Sequence, residues 1–170
     1  MNNLMIIILL IFSFLSVGCA KKDKQLSEQA VTVKILAEKD INPNKYNHAA
    51  PLNLFIFQLK TLENFQKQDD DFFFFSEVHG DTTFSQDVIV MKELSIKPGE
   101  SREVNFPRQP DESAFGIIAA YRNIDEAEWK RDITFPKVEF QPWYKKFLSV
   151  PERKLFIHIK KLSIEAKVME

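Results

Sequence analysis

Alternation of apolar and polar residues runs through most of the chain and predicts β-strands. Val31, Val33 and Ile35 alternate with polar residues, which is typical of a strand with one buried face. The same pattern indicates further strands at 88–96, 101–106, 129–135, 155–159 and 162–168. Two segments, 52–59 and 114–121, are apolar at both parities, as in strands buried on both faces. We therefore predict an all-β fold, an antiparallel β-sandwich of about seven or eight strands.

A tight turn is predicted at Lys97-Pro98-Gly99-Glu100, because Pro presets φ at the second position and Gly supplies the positive φ of the third. The turn lies between two predicted strands. We therefore expect 101–106 to return beside 88–96 as the second arm of a hairpin.

Short helices are predicted within 61–78, where apolar residues recur at helical spacing. Leu62 and Phe65 share one helix face, and Phe72, Phe75 and Val78 share another. The capping residues expected for these helices are Thr61 and the run Asp69-Asp70-Asp71. We expect this helical insertion to cover the outer face of 52–59, with the Phe72–Phe75 run in the core. The alternative interpretation is an exposed patch that contacts a partner or a membrane.

The N-terminus differs from the rest of the chain. An uncharged apolar run of fourteen residues, Leu4–Val17, ends at Gly18-Cys19. It is shorter than the roughly 20 residues of a membrane-spanning helix and predicts a signal peptide over residues 1–18. The end at Gly-Cys resembles the lipobox of bacterial lipoproteins, although Ser16 stands where that motif normally has Leu. We expect Cys19, the chain's only cysteine, to be lipidated. The alternative is a free thiol after ordinary cleavage, open to oxidation.

The remaining chain divides into a tether and one domain. Residues 19–29 are polar without periodicity, and as a flexible segment the ten residues after Cys19 would reach roughly 17 Å. Residues 30–170 suit a single β-sandwich domain. The chain has 23 basic and 24 acidic residues, and this balance argues against a nucleic-acid partner that is recognised by bulk charge.

The sequence lacks recognisable catalytic, phosphate-binding and metal-binding motifs. The three histidines, His48, His79 and His158, lack the spacing of a metal site, and no phosphate-binding loop or serine elbow occurs. We therefore predict no catalytic residue, no metal and no cofactor besides a covalent lipid on Cys19.

A loop of about a dozen residues, Asp40–Pro51, separates the first two predicted strands. Long loops inside compact domains are often functional. This one offers amide and imidazole side chains for hydrogen bonds, an amphipathic Tyr46, and prolines that limit its freedom. We interpret it as an interface; the alternative is a plain turn with a solvated tyrosine.

Several short motifs follow one another in a characteristic order. They are Asn42-Pro43, Leu54–Lys60, Phe65, Asp71-Phe72, Lys97–Arg102, Ile118–Arg122 and Trp129. Together with Cys19, this order resembles the outer-membrane lipoproteins of the bacterial type VI secretion system, the TssJ family. The resemblance covers about 30–129, and its most specific parts are P-G-E-S-R and A-A-Y-R.

The resemblance implies a transthyretin-like β-sandwich with short added helices, anchored by acyl chains in the outer membrane and facing the periplasm. It implies a scaffold without enzymatic activity that docks the periplasmic domain of TssM, with TssL in the same complex. The family's partner-contacting element is the loop between the first two strands. Here it predicts the partner-binding residues Asn42, Pro43, Asn44, Lys45, Tyr46, Asn47 and His48.

Two other function classes stay open at this point. One is a lipoprotein sandwich that binds a small ligand or glycan through Trp143, Tyr144 and Phe147. The other, less favoured, is a hydrolase whose catalytic residues are scattered along the sequence.

Overall fold

A computed structural model describes residues 30–74, 82–109, 112–135 and 153–169, and these ranges contain eight strands and three short α-helices. The strands are β1 (Ala30–Ala37), β2 (Leu52–Leu59), β3 (Val88–Ile96), β4 (Ser101–Pro107), β5 (Ala114–Ala120), β6 (Lys130–Thr134), β7 (Arg153–Ile159) and β8 (Ile164–Met169). The helices are α1 (Glu63–Lys67), α2 (Asp70–Phe74) and α3 (Thr82–Asp87), and a 3₁₀ turn spans Ile124–Glu126. None of the helices in the described ranges is long and apolar enough to cross a membrane.

The strands form two four-stranded sheets, in the orders β4-β1-β7-β8 and β3-β2-β5-β6. The predicted β-sandwich with short helices is therefore confirmed. It is not wholly antiparallel, because β1 and β7 run parallel from Val31 beside Arg153 to Ala37 beside Ile159. The core lies between the two sheets, and its largest side chains include Ile35, Leu54 and Phe106.

The predicted hairpin at 88–106 is wrong, since β3 pairs with β2 and β4 pairs with β1 in the other sheet. The turn itself forms as expected: Gly99 has φ 75°, and the Glu100 N–H donates to the Lys97 carbonyl at 3.1 Å. A turn reverses the chain but does not decide which strand receives the returning segment. Here the free edge of β1 accepts β4, and the turn connects the two sheets.

Lys92 occupies a position of β3 whose neighbours on the same face are apolar, and its side chain reaches the facing sheet. Its ammonium donates to the Asn105 carbonyl of β4 at 2.7 Å and lies 4.8 Å from the ring centre of Phe106. An inward-pointing charge on an edge strand discourages pairing with other chains. On the opposite side of the sandwich, the segments that lead into β6 and β8 are joined, since the Glu128 N–H donates to the Leu162 carbonyl at 2.8 Å.

A second apolar cluster covers the outer face of β2 and β5, as predicted for the helical insertion. Its buried members are Phe57, Leu59, Phe65, Phe84 and Ile118. Phe72, Phe73 and Phe74 pack against this cluster and are partly buried, which supports the core interpretation of the run. Phe75 and Val78 lie outside the described residues. Helix α3 was not predicted, because its segment T-T-F-S-Q-D contains Phe84 as its one large apolar residue.

The caps of the first two helices also follow the prediction. The Glu63 N–H donates to the Thr61 hydroxyl oxygen at 3.2 Å, although Leu62 is the residue at the N-cap position of α1. The Phe72 N–H donates to the Asp69 carboxylate at 3.0 Å, so the aspartate run caps α2. Lys130 of β6 fixes the other end of α1 by donating to the Gln66 carbonyl at 3.2 Å.

The sandwich has two ends that matter for function. We call the end with Ala30, Pro107 and Arg153 the tether pole, because β1 begins there, with Ala30 opposite Pro107 and Val31 opposite Arg153. The opposite end, with Ala37 and Leu52, is the loop pole. The eight residues of β1 separate the poles by about 26 Å at roughly 3.3 Å per residue.

A candidate docking site at the loop pole

The loop between β1 and β2 is held in place by Asn42, which is only 2% exposed. Its backbone N–H donates to the Lys161 carbonyl at 3.0 Å, and its side-chain amide donates to the Pro51 carbonyl at 2.7 Å. Its side-chain oxygen accepts from the Arg122 N–H at 2.8 Å. Asn42 has φ 49°, in the left-handed region that asparagine tolerates better than most residues. This residue therefore positions the loop, and its polar groups are already used inside the domain.

The tip of the loop is ordered by Asn44. Its side-chain oxygen accepts from the N–H groups of Tyr46 at 2.9 Å and His48 at 3.0 Å. Its backbone N–H donates to the His48 carbonyl at 2.9 Å, and its carbonyl accepts from the Asn47 N–H at 2.8 Å. Asparagine commonly forms such local turns with its own side chain. The tip is therefore organised without any partner present.

Four residues of the tip, Lys45, Tyr46, Asn47 and His48, are exposed. The Tyr46 side chain is 68% exposed, with the Lys45 ammonium 5.0 Å from its ring centre. A large aromatic side chain presented on an ordered loop suits an interface, because little conformational entropy is lost when it is buried. Of the seven predicted partner-binding residues, these four are exposed, Pro43 and Asn44 are half-buried, and Asn42 is buried.

Two other turns meet the loop at the same pole, the turn after β5 and the turn between β7 and β8. Tyr121 begins the first of these turns and is buried. Its hydroxyl lies 2.7 Å from the Ser163 carbonyl oxygen and 3.0 Å from that of Lys160, both in the second turn. Burial raises the pKa of the Tyr121 phenol, and the negative charge of Glu38 adds to the rise. The phenol therefore stays protonated and acts as a strut that joins β5 to the β7–β8 turn.

A depression of about 790 Å³ lies between the loop and these turns. The residues that line it are Pro43, Asn44, Lys45, Tyr46, Asn47, Arg122, Asn123, Glu126, Lys161 and Leu162. Sequence reasoning missed the last five, because they come from segments far away in the chain. The A-A-Y-R motif was the one sign of Arg122, and nothing in the sequence pointed to Lys161.

Two of the three histidines lie in the described part of the chain. His158 lies on β7, with its Nε2 3.3 Å from the Glu38 carboxylate, and His48 lies in the loop. In the described part of the chain, no three His, Cys, Asp or Glu side chains form a group that could hold a metal ion. Cys19, His79, Trp143, Tyr144 and Phe147 lie outside the described residues, so the predictions made for them stay predictions.

A second depression of about 410 Å³ lies on the outer face of the β3-β2-β5-β6 sheet. It is lined mainly by apolar side chains: Phe55, Phe57, Phe73, Phe84, Ser85, Val88, Met91 and Ile118. Met91 is 52% exposed at its rim. This surface is more apolar than the lining of the loop-pole depression.

Comparison with known proteins gives a consistent result. Residues 29–162 match the family model described as type VI secretion lipoprotein, VasD, EvfM, TssJ, VC_A0113. The fold is similar to the T6SS lipoprotein TssJ1 from Pseudomonas aeruginosa, with a TM-score of 0.68 and 22% identity over 84% of this chain and 97% of that chain. No curated protein matches the chain in sequence.

Two further solved structures share the fold. Serratia marcescens Lip, a membrane-bound component of the type VI secretion system, has a TM-score of 0.65 and 16% identity over 82% of this chain and 97% of that chain. A chain in the structure of the TssM C-terminal domain from EAEC has a TM-score of 0.61 and 19% identity over 81% of this chain and 99% of that chain. At these identities the likeness shows the fold.

Proposed function

The chain belongs to the type VI secretion lipoprotein family, and from that premise we propose that it is a scaffold without enzymatic activity that docks the periplasmic domain of TssM. In this proposal acyl chains on Cys19 hold it in the outer membrane, facing the periplasm. TssL is expected in the same complex. The observation that carries the proposal is an ordered loop that presents Tyr46 at 68% exposure.

The arrangement of the poles supports this role. Cys19 precedes β1 in the chain, so the anchor is connected to the tether pole, where Ala30 begins the strand. The docking loop follows the other end of β1, about 26 Å away. Such a molecule presents its loop away from the lipid that holds it, toward a partner that approaches from the periplasm.

The order of the loop also supports binding. The four hydrogen bonds around Asn44 hold the tip in one conformation, so a partner does not have to immobilise it. Preorganisation of this kind raises affinity by lowering the entropic cost of association. Asn42 supports the tip from below through its contacts with Lys161 and Arg122.

The test is a comparison of two exposed side chains. Tyr46→Ala should raise the dissociation constant for the TssM periplasmic domain about 30-fold, the ~2 kcal/mol typical of a buried aromatic hot spot. Met91→Ala is the matched control, because Met91 is 52% exposed on β3 and lies five residues from Ile96, the residue opposite Leu52 at the loop pole. We expect both variants to keep the melting temperature. Equal affinities of Tyr46→Ala and the unsubstituted chain would argue against the loop as the docking site.

We keep a second candidate because of the apolar depression beside Met91. In that reading the protein binds a small apolar ligand on its outer sheet face. Phe55→Ala would then abolish saturable binding of an apolar fluorescent probe, while TssM would not bind at all.

A further inference from the structure

The loop-pole depression is built from three separate segments that one residue holds together. Asn42 donates to the Lys161 carbonyl and accepts from the Arg122 N–H, so the loop, the turn after β5 and the turn before β8 share a single support. The walls of the depression therefore keep a fixed relation to Tyr46. A partner that contacts Tyr46 at the rim also meets these walls.

The charges that line this depression are unbalanced. Lys45, Arg122 and Lys161 are exposed cations, and Glu126 is the one carboxylate in the lining. Within the described ranges, none of the three cations lies in an ion pair. Neighbouring cations do, since Lys160 contacts Glu165 at 2.5 Å and Arg131 contacts Glu128. The lining is therefore positive on a chain whose formal net charge is −1.

From this arrangement we propose that the depression receives an acidic segment of the partner protein. This inference rests on the docking function proposed above and adds the chemistry of the contact. Tyr46 supplies the apolar contact at the rim, and Arg122 and Lys161 select the charge. An arginine can bind a carboxylate through two parallel hydrogen bonds, which adds geometric specificity.

The location of the depression favours a protein over a lipid surface as the source of the carboxylates. It lies at the loop pole, about 26 Å from the pole that connects to the anchor. Amide groups from Asn44, Asn47 and Asn123 line it beside the cations and offer hydrogen bonds to a peptide backbone. Exposed complementary charges act mainly on the association rate. Their effect depends on the salt concentration, because ions screen such charges beyond about 8 Å at physiological ionic strength.

The test is a charge reversal with a matched control, using the full chain in detergent micelles. Arg122→Glu with Lys161→Glu should weaken binding of the TssM periplasmic domain about ten-fold at low salt and flatten its salt dependence. The control is Lys34→Glu with Lys167→Glu, which changes the net charge equally. Both control lysines are exposed, one on β1 and one on β8. We expect the control pair to bind nearly as the unsubstituted chain does.

The outcomes separate this inference from the docking function. If Tyr46→Ala weakens binding while the Arg122 and Lys161 reversal does not, docking stands and the acidic segment is wrong. Equal losses in both reversed pairs would indicate a general charge effect and would also contradict the inference. If the unsubstituted chain does not bind TssM, docking fails and the inference fails with it. A tetraglutamate peptide provides an independent check, and its NMR shift changes should cluster at Arg122, Asn123 and Lys161.

Discussion

Gly116 lies in the middle of β5, directly under the ring of Phe65. A methyl group added at this position would lie 2.5 Å from one ring carbon of Phe65 and 2.7 Å from two others. Real side chains essentially never approach so closely. Gly116→Ala therefore forces Phe65 outward by about 1 Å to restore ordinary packing distances.

The displaced ring has little room to move. Phe65 is fully buried, and its ring centre lies 6.1 Å from that of Phe57 and 5.6 Å from that of Phe73. The Lys130 ammonium is 5.0 Å from the same ring centre. Overpacking of this kind destabilises the folded state by about 1–3 kcal/mol. Replacing glycine by alanine also lowers the conformational entropy of the unfolded chain, which stabilises the protein by about 0.4–1 kcal/mol. We expect a net destabilisation of about 1–2 kcal/mol.

The assay is urea unfolding of the full chain, followed by a double-mutant cycle with Phe65→Leu. The shorter leucine relieves the clash, so the double variant should be more stable than the sum of the two single effects predicts. Thermal unfolding should show a decrease of about 2–4 °C for each kcal/mol. Stability of Gly116→Ala at or above that of the unsubstituted chain would refute the reasoning. Strictly additive effects would refute the contact with Phe65.

Two further predictions concern the anchor and the tether pole. Cys19→Ser should move the protein from the membrane fraction to the soluble fraction with an unchanged melting temperature, and continued membrane retention would contradict the anchor. Glu112→Ala should cost about 3 kcal/mol, because the side chain of Glu112 is fully buried and its carboxylate lies 3.2 Å from the Arg153 guanidinium. The control is Glu103→Ala, which breaks an exposed pair with Lys34 and should cost less than about 1 kcal/mol. Equal losses in the two variants would show that burial does not matter there.

Much of the fold was predictable because the strands carry a strong local signal. Residues 52–59 are apolar on both faces of the strand, which indicated an inner core on one face and a helical cover on the other. Phe57 and Leu59 contact that cover as expected. The pairing of the strands was less predictable. A tight turn at Gly99 is compatible with a hairpin or with a connection between sheets, and the partner strand decides between them.

The candidate site was predictable in part, because its loop also carries a local sequence signal. The loop residues are contiguous, and their turn-forming composition is visible in the sequence. Arg122 and Lys161 join them through long-range contacts with Asn42, which no local pattern reveals. The burial of Asn42 was equally hidden, because an asparagine in a loop is usually solvated. Its three internal hydrogen bonds explain why it lies inside.

The most direct test of the central claim is site-specific photo-crosslinking in cells that contain the full chain and its own TssM. A photoreactive residue replaces Tyr46 in one strain and Met91 in another, so that the docking loop is compared with an exposed position on β3. We predict a covalent adduct with TssM from position 46 and none from position 91. Absence of the adduct at position 46, or equal adducts at both positions, would contradict the claim.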